Sequence, residues 1–387
     1  MKLASLLVIL VAVGVPAVAQ SPLPWSEEEA TAIARHGPWP PPVPRDSSNR
    51  IAGTPAGAVL GEHLFNEPRL SADGAMSCAT CHVAGRDWGD GRVTAMVQSP
   101  PHRRTLSLWN VGYGHWFGWD GAGDSLWAQS IRPILEPREM GSDAARVAAL
   151  LREDATLACG YRRAFGEMPG ADDEKLLVDV AKALATFQAT LVSPRTAFDA
   201  FRDGLLSGQR DAATRYPMAA QRGLKIFLKS NCGACHFGPR FTNGEFGDVG
   251  IPFFIRPGEV DPGRLDGLSR LASSAFNLLG RHNDDALAAN ALRTRHVQRL
   301  HSNFGEFRVP SLRQAGEGPF MHNGHIATLE GVVKHYSEVD PDRLHSDARP
   351  LVRPLALSPE QSTDLVAFLR SLSADPPPRP PPPPLCP

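Results

Sequence analysis

The pentapeptide Cys78-Ala79-Thr80-Cys81-His82 recurs later in the chain as Cys232-Gly233-Ala234-Cys235-His236. Two thiols separated by two residues can bond to the two vinyl groups of one porphyrin, and the imidazole that follows then reaches the iron. A redox dithiol or a zinc knuckle also pairs cysteines, but neither needs a His after the second Cys in both copies. We therefore predict two covalently attached haem c groups, held by Cys78, Cys81, Cys232 and Cys235, with His82 and His236 as axial iron ligands.

Residues 1–19 predict a cleaved signal peptide. Lys2 precedes a short apolar run that ends in the small residues of Ala17-Val18-Ala19. No later stretch has the uninterrupted apolar length that a membrane-spanning helix needs, so we expect an exported, periplasmic chain without a membrane span. The net charge of -1 gives no indication of nucleic acid binding. In an oxidising compartment Cys159 and Cys386, which lie outside the haem motifs, could form a disulfide or stay as thiols.

The rest of the chain has a helical pattern. Apolar residues recur at helical spacing in 55–65, 144–151 and 176–191, and no strand alternation of any length occurs. Ser358-Pro359-Glu360-Gln361 is a capping box that opens a further helix. Because each haem motif shortly follows an amphipathic helix, we predict a mainly α fold of two cytochrome c-like haem domains with long irregular loops.

The predicted domain boundaries are a signal peptide at 1–19, a Pro-rich N-terminal segment at 20–50, a first haem domain at 51–210, a second haem domain at 211–375 and a Pro-rich tail at 376–387. Both Pro-rich segments are stiff, and we expect them to lie outside the cores. Residues 251–303 lack periodicity and predict an extended insertion in the second domain.

A third informative stretch combines Trp119-Asp120-Gly121 with Gln129, Pro133 and Glu139. Together with the haem motifs and with Pro319-Phe320-Met321-His322-Asn323-Gly324, it resembles the bacterial di-haem cytochrome c peroxidase and MauG superfamily, in its MauG-like branch, over nearly the whole mature chain. Residues 268–280 also resemble the MbnH-type subgroup. The resemblance implies an oxidoreductase whose first, peroxidatic domain reacts with hydrogen peroxide.

In that family the first haem faces a Gln and a Glu at the spacing of Gln129 and Glu139. The resemblance implies that Glu139 moves a proton between the peroxide oxygens, as a carboxyl group in a low-dielectric pocket can. Gln129 would orient peroxide, and Pro133 would shape the pocket. The alternative for Glu139 is that it begins or caps the helix that starts near Ala144. Trp119 corresponds to an electron relay between the haems, whereas Trp109, Trp116 and Trp127 are expected in the core or pocket wall.

The second haem distinguishes the branches of the family. Tyr336 lies seven residues after Leu329, where conventional peroxidases have a Met ligand and MauG-like members have Tyr. The resemblance implies His/Tyr ligation, and a phenolate favours ferric and higher oxidation states. Met321 is the alternative ligand. For His325, His335 and His345 an exposed or hydrogen-bonded structural role is expected.

Three departures from the family pattern are visible. Arg104 stands where the family has an Asn ligand to calcium, so calcium would depend on carbonyls near Glu317 and Pro319. A shortened loop leaves only His102 near the position of a removable distal His, which predicts an open first haem. Ser230-Asn231 replaces a surface Trp of MauG, so the docking face should differ.

The leading functional hypothesis is a periplasmic di-haem enzyme that reacts with hydrogen peroxide, forms a high-valent two-haem state and oxidises a side chain, a Trp, of a partner protein. The MbnH-type resemblance implies a small copper-binding periplasmic partner. The alternative is a cytochrome c peroxidase that reduces peroxide to water with electrons from a small cytochrome or cupredoxin. The third hypothesis is a non-catalytic di-haem electron carrier. The presence of Gln129 and Glu139 disfavours it.

Overall fold

The structure is a computed structural model, and it describes residues 23–93, 103–209, 214–252, 254–256, 258–340 and 351–386. The predicted signal peptide, His102 and His345 lie outside the described residues. The helices are α1 Glu27–Ala34, α2 Pro55–Phe65, α3 Cys78–Cys81, α4 Leu126–Leu135, α5 Ala144–Glu153, α6 Ala155–Phe165, α7 Asp173–Gln188, α8 Ala197–Ser207, α9 Met218–Lys229, α10 Arg264–Ser273, α11 Leu292–His296, α12 Leu329–Glu338 and α13 Pro359–Arg370. Short 3-10 turns are Pro68–Leu70, Ala84–Arg86, Val111–Tyr113, Cys232–Ala234, Ala289–Ala291 and His301–Asn303.

The strands are short and form two antiparallel pairs. β1 Phe246–Gly247 pairs with β4 Phe307–Arg308, and β2 Phe254–Arg256 pairs with β3 Glu259–Val260. The predicted mainly α fold is therefore confirmed. Among the residues that the structure describes, no helix is both long and apolar enough to cross a membrane.

Local signals place the helix starts where the sequence predicts them. Thr54 accepts a hydrogen bond from the Gly57 N–H at 3.2 Å and so caps α2. At α13 the Ser358 hydroxyl accepts from the Gln361 N–H at 3.2 Å, while the Gln361 side chain accepts from the Ser358 N–H at 2.9 Å. The predicted capping box is confirmed.

The same helix crossing supports both haem motifs. α2 crosses α7, and α9 crosses α13, with a glycine at each contact. A Cβ on Gly61 would lie 2.0 Å from the Ala183 carbonyl oxygen, and a Cβ on Gly223 would lie 1.9 Å from that of Asp364. Because these distances are far below van der Waals contact, both crossings depend on a residue without a side chain.

A matching pair of aromatic rings lies one helical turn after each of these glycine contacts. The Phe65 and Phe187 rings lie 5.1 Å apart at 56°, and the Phe227 and Phe368 rings lie 5.1 Å apart at 55°. The matching glycines, rings and spacings indicate that the chain contains two copies of one helical unit. This agrees with the expectation that each haem motif follows its own amphipathic helix.

Two hydrophobic cores correspond to these units. The first core contains residues of α2 and α4–α7, and the second contains residues of α1, α8, α9, α12 and α13. The predicted boundary between residues 210 and 211 stays a prediction.

The Pro-rich tail contradicts the expectation that it stays outside the cores. Leu385 is 4% exposed and belongs to the first core. Arg163 of α6 donates a hydrogen bond to the Leu385 carbonyl at 2.6 Å, and Cys386 forms a disulfide with Cys159. The expectation was wrong here because a covalent bond and one apolar side chain attach an otherwise extended segment to α6.

The Pro-rich N-terminal segment is also partly buried. Trp39 is 2% exposed, and its indole N–H donates to the Ser193 carbonyl at 3.0 Å. The Arg313 guanidinium lies 3.9 Å from the centre of its ring. The segment therefore joins the molecule through Trp39 and also through Ile33 of α1, which belongs to the second core, and its proline content revealed neither contact.

The insertion at 251–303 is more regular than its sequence suggested, because it contains α10 and α11. Leu268 and Leu271 of α10 pack against Trp116. A Cβ on Gly267 would lie 2.2 Å from the Asp120 carbonyl oxygen, so α10 lies directly against the Trp119-Asp120-Gly121 loop. The insertion therefore covers the loop that carries the predicted relay residue.

Candidate active site

The first haem motif forms α3 and ends in a well-oriented imidazole. The His82 N–H donates to the Cys78 carbonyl at 2.9 Å, and His82 Nδ1 donates to the Trp88 carbonyl at 2.9 Å. A carbonyl can only accept, so Nδ1 carries the proton and Nε2 keeps the lone pair that an iron ligand needs. Burial lowers the pKa of His82, which keeps the ring neutral.

The second motif repeats this arrangement. The His236 N–H donates to the Cys232 carbonyl at 2.9 Å, and His236 Nδ1 donates to the Phe241 carbonyl at 3.0 Å. Burial lowers the pKa of His236 as well. Both predicted axial histidines thus have the tautomer and protonation state that ligation of iron requires.

Gln129 lies on α4 and points its amide oxygen into a space bordered by glycines. A Cβ on Gly123 would lie 3.0 Å from Gln129 Oε1, and a Cβ on Gly118 would lie 3.4 Å from it. This oxygen is buried and has no hydrogen-bond partner among the described residues. A buried polar atom is rarely left unpaired, so the site fits a bound molecule such as water or peroxide.

Pro133 lies inside the last turn of α4, one turn after Gln129, and has no N–H to donate to the Gln129 carbonyl. The Pro133 carbonyl accepts from the Met140 N–H at 3.1 Å, and the Glu139 N–H donates to the Glu136 carbonyl at 2.9 Å. These bonds fold residues 136–140 back against α4. The turn brings Glu139 toward the same helix that carries Gln129.

Glu139 does not begin or cap the following helix. The cap of α5 is Asp143, whose carboxylate accepts from the Arg146 N–H at 2.8 Å. Burial raises the pKa of Glu139, and the neighbouring Glu136 adds to the effect. The structural alternative for Glu139 is therefore wrong.

Glu139 lies close to the first haem motif. Burial is the main cause that raises the pKa of the Cys78 and Cys81 thiols, and the charge of Glu139 raises both further. An electrostatic effect on both thiols requires the carboxylate to be near them. The structure therefore brings Glu139 within electrostatic range of the first attachment site, although they are far apart in sequence.

Trp119 joins the two units. Its ring is 7% exposed and packs with Phe307, and its indole N–H donates to the Arg104 carbonyl at 2.9 Å. Its own carbonyl accepts from the Arg308 N–H of β4 at 2.8 Å. The predicted relay residue is thus held by both the first unit and the strand that follows the second haem motif.

A buried ion network holds the loop beside Trp119, and sequence reasoning missed it. Asp120 is 2% exposed and forms ion pairs with Arg103, at 2.6 Å, and with Arg270 of α10. Arg103 also donates to both carboxylate oxygens of Asp261 at 2.7 Å. Burial would raise the pKa of Asp120, but Arg103 and Arg270 outweigh it and lower the pKa. No local sequence signal pairs these distant charges.

A cavity of about 810 Å³ lies against the second haem motif and extends to the first unit. Its lining includes His236 and both candidate ligands, Tyr336 on α12 and Met321. Burial raises the pKa of the Tyr336 phenol. The phenol is therefore neutral without a cation, and a ferric iron would supply the charge that a phenolate needs.

The other histidines of this region have different environments. His335 Nε2 donates to the Val249 carbonyl at 2.8 Å, and His325 is exposed. His322 is buried and stacks on Phe307 with ring centres 3.4 Å apart. Burial lowers the pKa of His322 to about 3, so this ring stays neutral.

Buried cations also line the cavity. Arg308 Nε has no hydrogen-bond partner among the described residues, and burial lowers the Arg308 pKa to about 10. Burial lowers the pKa of Arg240 as well. Two poorly compensated guanidinium groups fit the propionates of a haem, since these are anions that would restore the charge balance.

At the predicted calcium position the structure has a cation of its own. The Arg104 guanidinium donates to the Pro319 carbonyl, and the Arg104 N–H donates to the His322 carbonyl at 2.9 Å. Within the described part of the chain, no group of three or more His, Cys, Asp or Glu side chains could hold a metal ion. The Pro319 carbonyl considered for calcium is therefore already paired with a guanidinium.

Comparison with known proteins agrees with this geometry. A family model described as di-haem cytochrome c peroxidase matches residues 55–207. The methylamine utilization protein MauG of Methylorubrum extorquens is 34% identical over 91% of this chain and 87% of its own length. The chain belongs to the di-haem cytochrome c peroxidase and MauG family.

Two further members of this family illustrate its range. A cytochrome c peroxidase of Denitromonas iodatirespirans is 31% identical over 88% of this chain and 87% of its own length. The fold matches that of a crystal structure of a MauG-like protein associated with microbial copper homeostasis, with a TM-score of 0.62, 24% identity, and coverage of 87% of this chain and 95% of that chain.

Membership of the di-haem cytochrome c peroxidase and MauG family confirms haem as the cofactor and a peroxidase-type oxidoreductase as the enzyme class. The unpaired Gln129 oxygen, the two oriented histidines and the cavity with its buried guanidinium groups fit such cofactors. Cys78 and Cys81 would hold one haem, and Cys232 and Cys235 the other. When bound, the haems supply the redox chemistry, and the surrounding residues position peroxide and protons.

Proposed function

We propose that this chain is a periplasmic di-haem enzyme that reacts with hydrogen peroxide and oxidises a tryptophan side chain of a partner protein, with the oxidising equivalents held on both haems. One observation carries the proposal. Gln129 on α4 has a buried amide oxygen without a partner among the described residues, and the turn after α4 carries the Glu139 carboxyl group, whose pKa burial raises and whose charge acts on Cys78 and Cys81. Such a pair suits a reacting peroxide better than simple electron transfer.

Glu139 would take a proton from hydrogen peroxide and return it to the departing oxygen, which leaves as water. Burial raises its pKa, so its affinity for a proton is nearer to what a general acid and base needs at neutral pH than that of an exposed glutamate. Gln129 would orient peroxide without adding a charge. Pro133 would shape this pocket, because it folds residues 136–140 back against α4.

Trp119 is the proposed relay between the haems. An indole loses an electron more readily when no cation lies over its ring. Trp119 meets that condition among the described residues, and it is held by hydrogen bonds to Arg104 and Arg308. Its position between the two units supports the relay role.

Tyr336 is the proposed axial ligand of the second haem, and Met321 is the alternative. Both line the same cavity as His236. A phenolate ligand would stabilise oxidised iron and make the second haem a store for an oxidising equivalent. A thioether ligand would favour the reduced state and would suit a peroxidase that receives electrons from a small cytochrome or cupredoxin.

The partner and the cellular location belong to the same proposal. The resemblance of residues 268–280 to the MbnH-type subgroup is the reason for proposing a small copper-binding partner in the periplasm. Residues 1–19 supply the proposed export signal. Calcium is not needed in this proposal, since Arg104 supplies a positive charge at the Pro319 carbonyl.

The decisive experiment adds one equivalent of hydrogen peroxide to the diferric protein and follows both irons by Mössbauer spectroscopy. We expect both irons to be oxidised, and mass spectrometry should then find an oxidised Trp in a small copper-binding protein added as the partner. Tyr336→Met should abolish storage at the second iron, while Met321→Leu should leave it intact.

The reverse pattern for Tyr336 and Met321 would identify Met321 as the ligand. Thioether ligation in the ferrous protein, combined with rapid peroxide turnover by reduced cytochrome c, would replace the protein-oxidising function with the cytochrome c peroxidase one. The relatives named cytochrome c peroxidase make this the second candidate.

A further inference from the structure

The tryptophans of this chain differ in how readily each could lose an electron. Of the seven, five have a cation over the ring. The pairs, with distances to the ring centre, are Lys225 over Trp25 at 4.6 Å, Arg313 over Trp39 at 3.9 Å, Arg379 over Trp88 at 5.7 Å, Arg264 over Trp116 at 4.2 Å and Lys182 over Trp127 at 5.5 Å. A cation in this position disfavours oxidation, because the hole that forms on the ring is repelled.

Trp109 and Trp119 have no cation over the ring among the described residues. The hydrogen-bond partner of the indole separates them. The Trp109 N–H donates to the Asp87 carboxylate at 3.1 Å, whereas the Trp119 N–H donates to the Arg104 carbonyl at 2.9 Å. A carboxylate can accept the indole proton fully, and a main-chain carbonyl cannot.

Trp109 also lies between the two haem sites. Its ring is 6.2 Å from that of Trp88 in an edge-to-face arrangement, and the Trp88 carbonyl accepts the His82 Nδ1–H at 2.9 Å. On the other side, Trp109 lines the cavity that His236 and Tyr336 line. The ring therefore contacts the residue whose carbonyl orients His82, and it borders the cavity that His236 lines.

The backbone around Asp87 is held in an unusual conformation. Asp87 and Trp88 are consecutive non-glycine residues in the left-handed region, with φ of 54° and 57°. Such a pair persists only where the surroundings hold it, and it is often found at functional positions. The Ser107 hydroxyl donates to the Asp87 carbonyl and accepts from the Trp109 N–H of the main chain at 3.2 Å. The segment therefore fixes Asp87 beside the Trp109 indole.

We propose that Trp109 is a second oxidisable tryptophan of this enzyme, with Asp87 as the acceptor of its indole proton. The proposal rests on the proposed function, because the haem pair oxidised by peroxide is the oxidant. Trp109 loses one electron, which reduces that pair by one equivalent. The indole N–H bond breaks at the same time, and its proton bonds to an Asp87 carboxylate oxygen, which leaves a neutral indolyl radical. One electron from the tryptophan side chain of the partner protein, which is thereby oxidised, together with the proton returned by Asp87, restores Trp109.

The acid–base character of Asp87 suits this role. Burial raises its pKa, and the charge of Glu317 raises it further, against the opposing effect of the hydrogen bond from Trp109. A carboxylate with a raised pKa holds a received proton more firmly than an exposed aspartate does.

The test uses the full two-haem protein, oxidised with one equivalent of hydrogen peroxide and frozen within seconds for electron paramagnetic resonance. Protein grown on ring-deuterated tryptophan identifies the radical by a narrower signal. We expect Trp109→Phe to lower the tryptophan radical at least ten-fold. Asp87→Asn can still accept a hydrogen bond but cannot take a proton, so it should lower the neutral radical to a similar extent. Trp116→Phe, which alters another tryptophan of the same cavity, should leave the signal unchanged.

The haem absorption of each sample separates the two proposals. A tryptophan radical that persists at full strength in Trp109→Phe or Asp87→Asn overturns the Trp109 assignment. So does an oxidised haem pair that forms in the unaltered protein without a tryptophan radical. If the haems themselves show no oxidised state, the proposed function fails and this inference fails with it.

Discussion

The two haem regions of this protein share their support and differ in what surrounds it. Both motifs follow the same glycine-centred helix crossing, and both axial histidines donate Nδ1–H to a main-chain carbonyl. The first region adds a buried amide and a carboxyl group, whereas the second adds a cavity lined by a tyrosine. Different segments therefore attach each haem and determine the reaction that it supports.

The regions also differ in how the chain ends attach to them. The C-terminal tail leaves the second unit, returns to the first and is bonded there through Cys386. On the way, Arg379 lies 5.7 Å from the centre of the Trp88 ring, next to the carbonyl that orients His82. Among the described residues, the tail thus supports the first haem region, whereas α1 of the N-terminal segment packs in the second core.

The largest expected effect tests whether the carboxyl group of the first haem region determines its reaction with peroxide. Glu139→Gln should slow oxidation of the diferric protein by peroxide about a hundred- to ten-thousand-fold, because the proton carrier is lost. Stopped-flow absorption of the haems measures the rate. Arg138→Gln changes an exposed residue of the same turn and should leave the rate within a few-fold.

The pH dependence provides the matching signature. Glu139 must be ionised to accept a proton, and burial raises its pKa, so the rate should fall as pH decreases through that raised pKa. The fall should occur at a higher pH than an ordinary glutamate would give. Glu139→Gln should abolish this decrease of the rate at low pH. A decrease that remains in the variant would assign the proton transfer to another group.

A smaller effect concerns the tail. Cys386→Ser should reduce the free energy of unfolding by about 2–4 kcal/mol, since the disulfide with Cys159 closes a loop with a sequence separation of 227. Amide hydrogen exchange should increase in α6 and not in α9. Cys159→Ser and the double variant should match Cys386→Ser, and equal losses in α6 and α9 would mean that the tail supports both regions.

The smallest expected effect tests whether the two helix crossings that support the haem motifs are equivalent. Gly61→Ala and Gly223→Ala should each cost about 1–3 kcal/mol of stability, because the new methyl group would collide with the carbonyl of the crossing helix. Urea unfolding followed by haem absorption measures both. Gly170→Ala places a methyl group in open space and is the control. A large loss for only one glycine would show that the crossings are not equivalent.

Sequence reasoning located the elements whose signals are local. The helix starts at Thr54 and Ser358 follow from capping chemistry within four residues. Gln129, Pro133 and Glu139 lie close together in the chain, and the structure places them on α4 and the turn that folds back on it.

Sequence reasoning failed where the decisive contact joined distant segments. The tail was expected outside the cores, yet Leu385 is buried because of its contacts with α6. The insertion was expected to be irregular, yet α10 lies against the Asp120 loop through the close approach of Gly267. Arg103, Arg270 and Asp261 have no sequence pattern that would pair them with that loop.

The sequence by itself determined that this protein binds two haems, because covalent attachment needs only thiols and an imidazole at a local spacing. It also determined which side chains are available beside them. Only the tertiary structure decided that the Arg104 guanidinium donates to the Pro319 carbonyl and that the Trp109 indole donates to the Asp87 carboxylate. Charge and hydrogen-bond environments depend on distances in space, and those distances arise only when the two units pack together.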